Sequence, residues 1–484
     1  MLLTLVIVYL LGTIAIGLWA AKRVKNTADF AIAGRHLPLV MIVTTTFATW
    51  FGSETVLGIP AKFVNGGLNG VVEDPFGAGS CLILVGLFFA AKLYRMTLLT
   101  ISDYYRERYG RVVEVVCSLI IMLSYLGWVS AQVTALGLVF NLLSNGVISI
   151  PAGMVIGTVS ILAYTLFGGM WSVAVTDFVQ MIVLVSGLAI IAVFAGNMAG
   201  GADKVVSLAT SHDLFKFLPE PSFKDVVFFF ASAITMMLGS IPQQDVFQRV
   251  MSAKDMKAAT RGPVIGGVCY ILFAFVPMFL VTSALIIMPE QAAVLLKEDP
   301  QKVLPTLVLD KMPFVMQVLF FGALLSAIKS TASATLLAPS VTFVENIWRQ
   351  FQPHRGDRKE LMTMRITVLV FATLVCTYAV LAQGKPIYEM VSGAYQVTLV
   401  GAFVPLAAGL YWKRATTQGA IFSIVLGIVG WLLFLYTPAG DQFPAQLAGV
   451  LLGIVGMVAG SYGPQALKNR QGSHHRVVGV GSHA

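Results

Sequence analysis

The chain has 484 residues, of which 57% are hydrophobic and 11% charged, with a formal net charge of +9 and a mean hydropathy of +0.83. A soluble domain carries about 25% charged residues. This composition therefore excludes a soluble enzyme with one anchor, because apolar runs fill the chain end to end.

Apolar segments long enough to cross a bilayer recur about thirteen times, which predicts an all-α membrane protein. The first, Met1 to Ala21, lacks a small-residue cleavage site and reads as a retained helix rather than a signal peptide. The others are predicted over 38–65, 71–93, 113–143, 150–168, 174–197, 226–247, 262–288, 313–345, 364–383, 386–411, 416–436 and 443–464. Residues 1–464 then form one transmembrane domain. The tail 465–484, with His474, His475 and His483, is polar and expected to be a disordered cytoplasmic segment.

Charge sets the orientation. Loops 22–36, 92–112, 248–261, 346–365, 412–415 and the tail hold 23 of the 32 Lys and Arg, so that side is expected to be cytoplasmic, with the N-terminus outside and the C-terminus inside. These loops account for the positive charge and call for no nucleic acid. Cys81, Cys117, Cys269 and Cys376 all fall in apolar segments and read as small buried hydrophobes, without metal spacing.

Two spans are interrupted at corresponding places, five helices apart. The second carries Trp50-Phe51-Gly52-Ser53-Glu54 and then Gly58-Ile59-Pro60; the seventh carries Leu238-Gly239-Ser240-Ile241-Pro242-Gln243-Gln244-Asp245. Broken backbone at membrane depth is tolerated only where it is buried in protein or lines a cavity. Paired breaks in two halves point to a transporter's midplane site. The ninth span carries Lys329 in its interior, followed by Ser330, Thr331 and Ser333. An ionisable group at that depth is costly and reads as functional. No histidine lies in the spans for metal or base work, and Gly168-Gly169 reads as a tight turn rather than a phosphate cradle, so an enzyme is not expected.

The run Tyr164-Thr165-Leu166-Phe167-Gly168-Gly169-Met170-Trp171-Ser172-Val173-Ala174-Val175-Thr176-Asp177-Phe178-Val179-Gln180 resembles the signature of sodium:solute symporters. So do Ile241 to Val250 and Ala327 to Ser333, and the resemblance extends from about residue 8 to residue 430. It implies the LeuT-type fold: ten core helices in two inverted five-helix repeats, about 38–197 and 226–411, with one helix before and two after. It implies sodium-coupled symport of a small organic solute by alternating access, with the bilayer as its other partner, no organic cofactor, and a monomer as the working unit. A proton-coupled or sodium-independent transporter of the same fold is the alternative, and a channel or transporter-like sensor a more distant one.

The resemblance places a sodium ion among the carbonyls of Ala48, Phe51 and Ala327 and the hydroxyls of Ser330 and Thr331. A second cation site in some members matches Asp177, Ser330 and Ser333, but its last hydroxyl position is Ala334. The family usually has an apolar residue where this chain has Lys329. At 100° per residue Lys329 falls on the Ser333 side of the ninth span, so it is expected to pair with Asp177 and stand in for that second ion. In spacing, the chain is nearest to the high-affinity choline transporter branch. Trp50 and Trp128 take two positions of an aromatic cage for a quaternary ammonium, whereas Gln243 and Ala78 replace a tryptophan and a tyrosine. The solute is expected among Trp50, Glu54, Glu73, Asp74, Trp128, Gln132, Gln243, Gln244, Asp245, Tyr395 and Gln396, a set suited to a cationic or zwitterionic amine.

Overall fold

The structure is a computed structural model, and it describes residues 1–352 and 356–467. The histidines of the tail lie outside the described residues, as does the disorder expected there from 468 onward. Among the described residues the regular elements are helices, joined by one isolated β-bridge between Leu37 and Ala253.

Ten helices are long and apolar enough to cross a membrane, and a bent pair, Phe223–Gly239 with Gln244–Ser252, makes an eleventh crossing. One of the ten, Ile150–Met198, has 49 residues. At 1.5 Å per residue that is roughly 70 Å, more than twice a hydrocarbon core of about 30 Å. It breaks at Gly169, whose φ of 47° and ψ of −139° are not helical, so we count it as the fifth and sixth spans. A side chain at Gly169 would also meet the Phe30 carbonyl oxygen at 2.3 Å. The second span is likewise two short helices, Leu39–Trp50 and Ile59–Gly70. Divided at these breaks, the described residues offer thirteen candidate crossings, where length and apolarity alone give ten or eleven.

The first span, Leu2–Ala21, lies against the fifth: a Cβ on Gly17 would sit 2.7 Å from the Tyr164 Cβ. The Ser172 hydroxyl donates to the Gly17 carbonyl at the same contact. The twelfth and thirteenth spans, Thr417–Leu435 and Ala445–Tyr462, approach through Gly427 and Gly449. Small residues are what let two helix backbones pack closely in lipid, where no hydrophobic drive separates helix from tail. Large apolar side chains such as Leu5, Trp19, Val193 and Leu433 stay exposed on the outside, facing where the acyl chains would be. Cys269 is exposed too, and Cys376 half-buried, so only Cys81 and Cys117 are the buried thiols expected of all four.

Polar residues collect inside instead. Thr45, Thr49, Ser53, Glu54, Gln132, Asp177, Gln243, Asp245, Arg249, Ser330 and Thr331 are all buried. They belong to the second, fourth, sixth, seventh and ninth spans, and they meet at the two breaks.

Candidate functional site

The second span stops being helical at Phe51, with φ −84° and ψ 70°, and resumes in a wide turn over Glu54–Gly58. Gly52 is needed here. A Cβ on it would lie 2.6 Å from Glu54 Oε2, 2.8 Å from Thr331 Oγ1 and 3.0 Å from Gln132 Oε1. The seventh span bends by 47° between Gly239 and Gln244. Both breaks therefore fall where the Gly and Pro residues place them, and each is ringed by polar side chains rather than lipid.

Two of the candidate ion residues, Thr331 and Ala48, meet at the first break. The Thr331 hydroxyl reaches the Ala48 carbonyl at 3.4 Å. Ala48, Phe51, Ala327, Ser330 and Thr331 are all at most 2% exposed. Ser330 donates to Asp177 Oδ1 at 2.5 Å, and the Thr45 hydroxyl donates to the other carboxylate oxygen. The donor set is carbonyls, hydroxyls and one carboxylate. Hard cations take such oxygen ligands, whereas zinc prefers nitrogen and sulfur. Ser333 stays apart: it donates at 3.0 Å to the Ser330 carbonyl of its own helix.

Lys329 does not pair with Asp177. Its ammonium donates to Thr13 Oγ1 at 2.7 Å and lies 5.3 Å from the centre of the Tyr164 ring. No ion pair to it is found among the described residues, and the side chain is fully buried. The helical angle was right in placing Lys329 to one side of Ser330, but that face meets the first span, which the ten-helix core argument leaves out. Thr13 gives its own proton to the Leu10 carbonyl at 2.8 Å, which frees its lone pairs to accept from the ammonium.

Trp50, Trp128 and Tyr395 form the heart of the candidate solute site. Trp50 stacks on Tyr395 with centroids 5.8 Å apart, and Trp128 lies 6.0 Å from Trp50 and 5.2 Å from Tyr395. Glu54 accepts from Trp128 Nε1 at 3.0 Å and from Gln132 Nε2 at 2.6 Å, while Gln132 Oε1 accepts from the Ser53 amide at 2.9 Å. Glu54 and Gln132 thus hold the break to the fourth span. Asp245 Oδ1 accepts from the Tyr125 hydroxyl at 2.5 Å, and Gln243 donates to Ser124 Oγ at 2.9 Å. Asp245 Oδ2, Gln243 Oε1 and the Tyr395 hydroxyl are buried with no partner among the described residues.

Three expected solute residues are elsewhere. Gln244 turns to the start of the helix Ile101–Tyr109, accepting from the Ile101 amide at 2.8 Å. Gln396 accepts from Trp431 Nε1 of the twelfth span at 3.1 Å. On a helix neighbouring residues face about 100° apart, so Tyr395 and Gln396 cannot both face the centre. Glu73 lines a separate vestibule of about 510 Å³ with Lys62 and Tyr388, which we term the outer vestibule for its distance from the basic loops in sequence.

Sequence reasoning counted Arg249 among the loop charges, yet it is 1% exposed. Its guanidinium donates to Thr49 Oγ1 at 2.8 Å and to the Asp245 carbonyl at 2.9 Å. The four-residue spacing of Asp245 and Arg249 after a break was the available signal. Tyr270 was also missed. Its hydroxyl meets Thr55 at 2.9 Å and donates to Asp74, and its ring stands edge-on to Trp50. On the basic-loop side Arg106 pairs with Asp103 at 3.0 Å and Glu114 at 3.3 Å, and Arg349 with Glu345 and Glu360.

A helical membrane bundle whose two broken spans face a buried polar centre is built as a secondary transporter. Residues 30–427 match the family model described as the sodium:solute symporter family. The chain belongs to that family, and it is a sodium-coupled solute symporter of the cell membrane. It is 27% identical to the human high affinity choline transporter 1 over 464 residues, covering 90% of this chain and 76% of that one. It is 25% identical to the high-affinity proline transporter PutP of Bacillus subtilis (strain 168) over 448 residues, covering 90% and 92%. Its fold is similar to the solved structure of a Na+-coupled sialic acid symporter in a substrate-bound outward-open state, with a TM-score of 0.82 at 18% identity, covering 95% and 97%. MhsT in complex with L-phenylalanine is similar at a TM-score of 0.57 and 14% identity, covering 87% and 97%.

Proposed function

We propose that the coupling sodium binds where the broken second span meets the ninth, held by the carbonyls of Ala48, Phe51 and Ala327 and the hydroxyls of Ser330 and Thr331. The 3.4 Å between Thr331 Oγ1 and the Ala48 oxygen carries this reading. Hard-cation ligands such as those of calcium, which sodium matches closely in size, lie about 2.3–2.6 Å from the ion. Two such ligands at a right angle are then roughly 3.3–3.7 Å apart. The repeats are about 38–197 and 226–411, the monomer is the working unit, and the basic-loop side is cytoplasmic, with the N-terminus outside.

The solute in this reading is a small amine or amino acid bearing N–H donors. Support comes from the three partnerless acceptors or hydroxyls beside the Trp50–Trp128–Tyr395 cluster: Asp245 Oδ2, Gln243 Oε1 and the Tyr395 hydroxyl. A quaternary ammonium offers them no proton, whereas a primary or secondary ammonium does, and the aromatic faces attract either. In proteoliposomes with an inward sodium gradient, Ser330→Ala with Thr331→Ala is expected to raise the sodium concentration for half-maximal uptake at least tenfold. Melting should stay within a few degrees of wild type. An unchanged sodium response refutes the ion site.

A further inference from the structure

We propose that the outer vestibule is a second, weaker solute subsite, in which Glu73 takes the ammonium and Lys62 the carboxylate of a zwitterionic amino acid on its way to the central site. The proposal rests on the amine reading of the solute above, and it adds a place and a second recognised charge.

The vestibule has about 510 Å³, within the usual range of small-molecule sites. Glu73, Lys62 and Tyr388 line it together with Phe228 and Phe229. Glu73 is set in its floor and only 7% exposed. One carboxylate oxygen accepts from Ser392 at 3.0 Å, and the other is buried without a partner among the described residues. The Tyr388 hydroxyl is buried without a partner as well. A buried carboxylate oxygen left unpaired is costly, and an ammonium donor removes the cost.

Lys62 supplies the opposite charge. It sits 3.6 Å from Glu389, but both side chains are largely exposed, at 41% and 60%. Such a surface pair is worth little and is readily exchanged for a ligand carboxylate. The Lys62 ammonium also lies 5.5 Å from the Tyr388 ring centre. Asp213, Lys216, Glu220 and Asp225 complete the charged lining. A quaternary amine has no proton to give Glu73 and no carboxylate to give Lys62, whereas a zwitterionic amino acid answers both.

The floor is thin. Asp74, next to Glu73, has an extended backbone with φ −142° and ψ 118°. Extended residues send successive side chains to opposite sides. Glu73 therefore lines the vestibule, while Asp74 accepts from Tyr270, whose ring stands 6.5 Å from that of Trp50. Glu73 and Asp74 thus join the vestibule lining to the Tyr270–Trp50 contact, and no candidate ion residue lines the vestibule.

The test is calorimetric titration of the full chain in lipid nanodiscs with L-proline, L-alanine and choline, each with and without sodium. The wild type is expected to bind both amino acids in a weak sodium-independent phase besides the sodium-dependent one. Glu73→Gln should weaken the sodium-independent phase at least tenfold, with its melting temperature checked for folding. Lys62→Gln, an exposed change, should do the same for the amino acids and leave the sodium-dependent phase intact. Choline should bind the outer phase at least tenfold more weakly. Ser330→Ala with Thr331→Ala should shift the sodium-dependent phase to at least tenfold higher sodium and spare the outer one, which separates failure of the ion site from failure of this subsite. Absence of a sodium-independent phase with either amino acid overturns the proposal. So does a phase that neither Glu73→Gln nor Lys62→Gln changes, or one that choline shares equally.

Discussion

Thr13→Val probes what holds the membrane-buried charge of Lys329. The substitution keeps the side chain's shape and removes the acceptor that lies 2.7 Å from the ammonium. A hydrogen bond to a charged group is worth about 1.5–3 kcal/mol, and its loss leaves the ammonium fully buried with the Tyr164 ring 5.3 Å away. Lys329→Met removes the charge instead. Replacing buried ionic groups by apolar ones of similar volume is often neutral or stabilising by about 1–4 kcal/mol. The two changes should therefore couple. Unfolding in mixed micelles is expected to show Thr13→Val costing about 1.5–3 kcal/mol in the wild type and under about 1 kcal/mol in the Lys329→Met background. Uptake by Lys329→Met should keep its half-maximal sodium within threefold of wild type, because the ammonium does not reach Asp177. Equal cost of Thr13→Val in both backgrounds refutes the contact. A tenfold change in sodium response on Lys329→Met alone would return the lysine to the ion site.

Gly52→Ala should abolish uptake while the protein still inserts, because its Cβ would press on Glu54, Thr331 and Gln132 at 2.6–3.0 Å, and all three belong to the centre; near-normal uptake would mean the break is not so tightly packed. Gln396→Leu should cost about 0.5–1.5 kcal/mol of stability through the lost Trp431 bond and leave solute affinity unchanged; a tenfold loss of affinity would put Gln396 back among the solute residues.

Much of this was legible because the bilayer simplifies the code. Apolar runs of fixed length gave the spans, and Gly and Pro beside polar residues gave both breaks, since the backbone must otherwise stay helical. The fifth and sixth spans were expected to part at Gly168-Gly169, where the structure has one helix, Ile150–Met198, interrupted at Gly169. Side-chain direction was harder. Family register placed Thr331 against Ala48, and aromatic spacing brought Trp50 and Trp128 together, because each follows from helix phase around a break. Gln244 and Gln396 were misplaced because neighbours on a helix diverge by about 100° and hydropathy does not say which faces inward. Lys329 was misassigned because its partner lies 316 residues away on an accessory helix, a contact no local pattern reports.

The buried charges also explain why ion and solute could share one fate. From the candidate solute side, Tyr125 holds Asp245, and Arg249 one turn further along donates both to the Asp245 carbonyl and to Thr49. Thr49 donates to the Thr45 carbonyl at 2.7 Å, Thr45 donates to Asp177, and Asp177 accepts from Ser330. Every link is buried, so none can trade its partner for water, and each has few alternatives. The chain crosses the fourth, seventh, second, sixth and ninth spans, which include both broken ones. Under the proposed ion site, a cation on the Ser330 oxygen strengthens the bond that hydroxyl donates to Asp177, and a cation on the Ala48 carbonyl displaces the Thr331 proton from it. A solute donating to Asp245 acts on the far end of the same chain, at the hinge of the seventh span. Two sites that bias one set of mutually dependent hydrogen bonds have the physical means to feel each other's occupancy without touching.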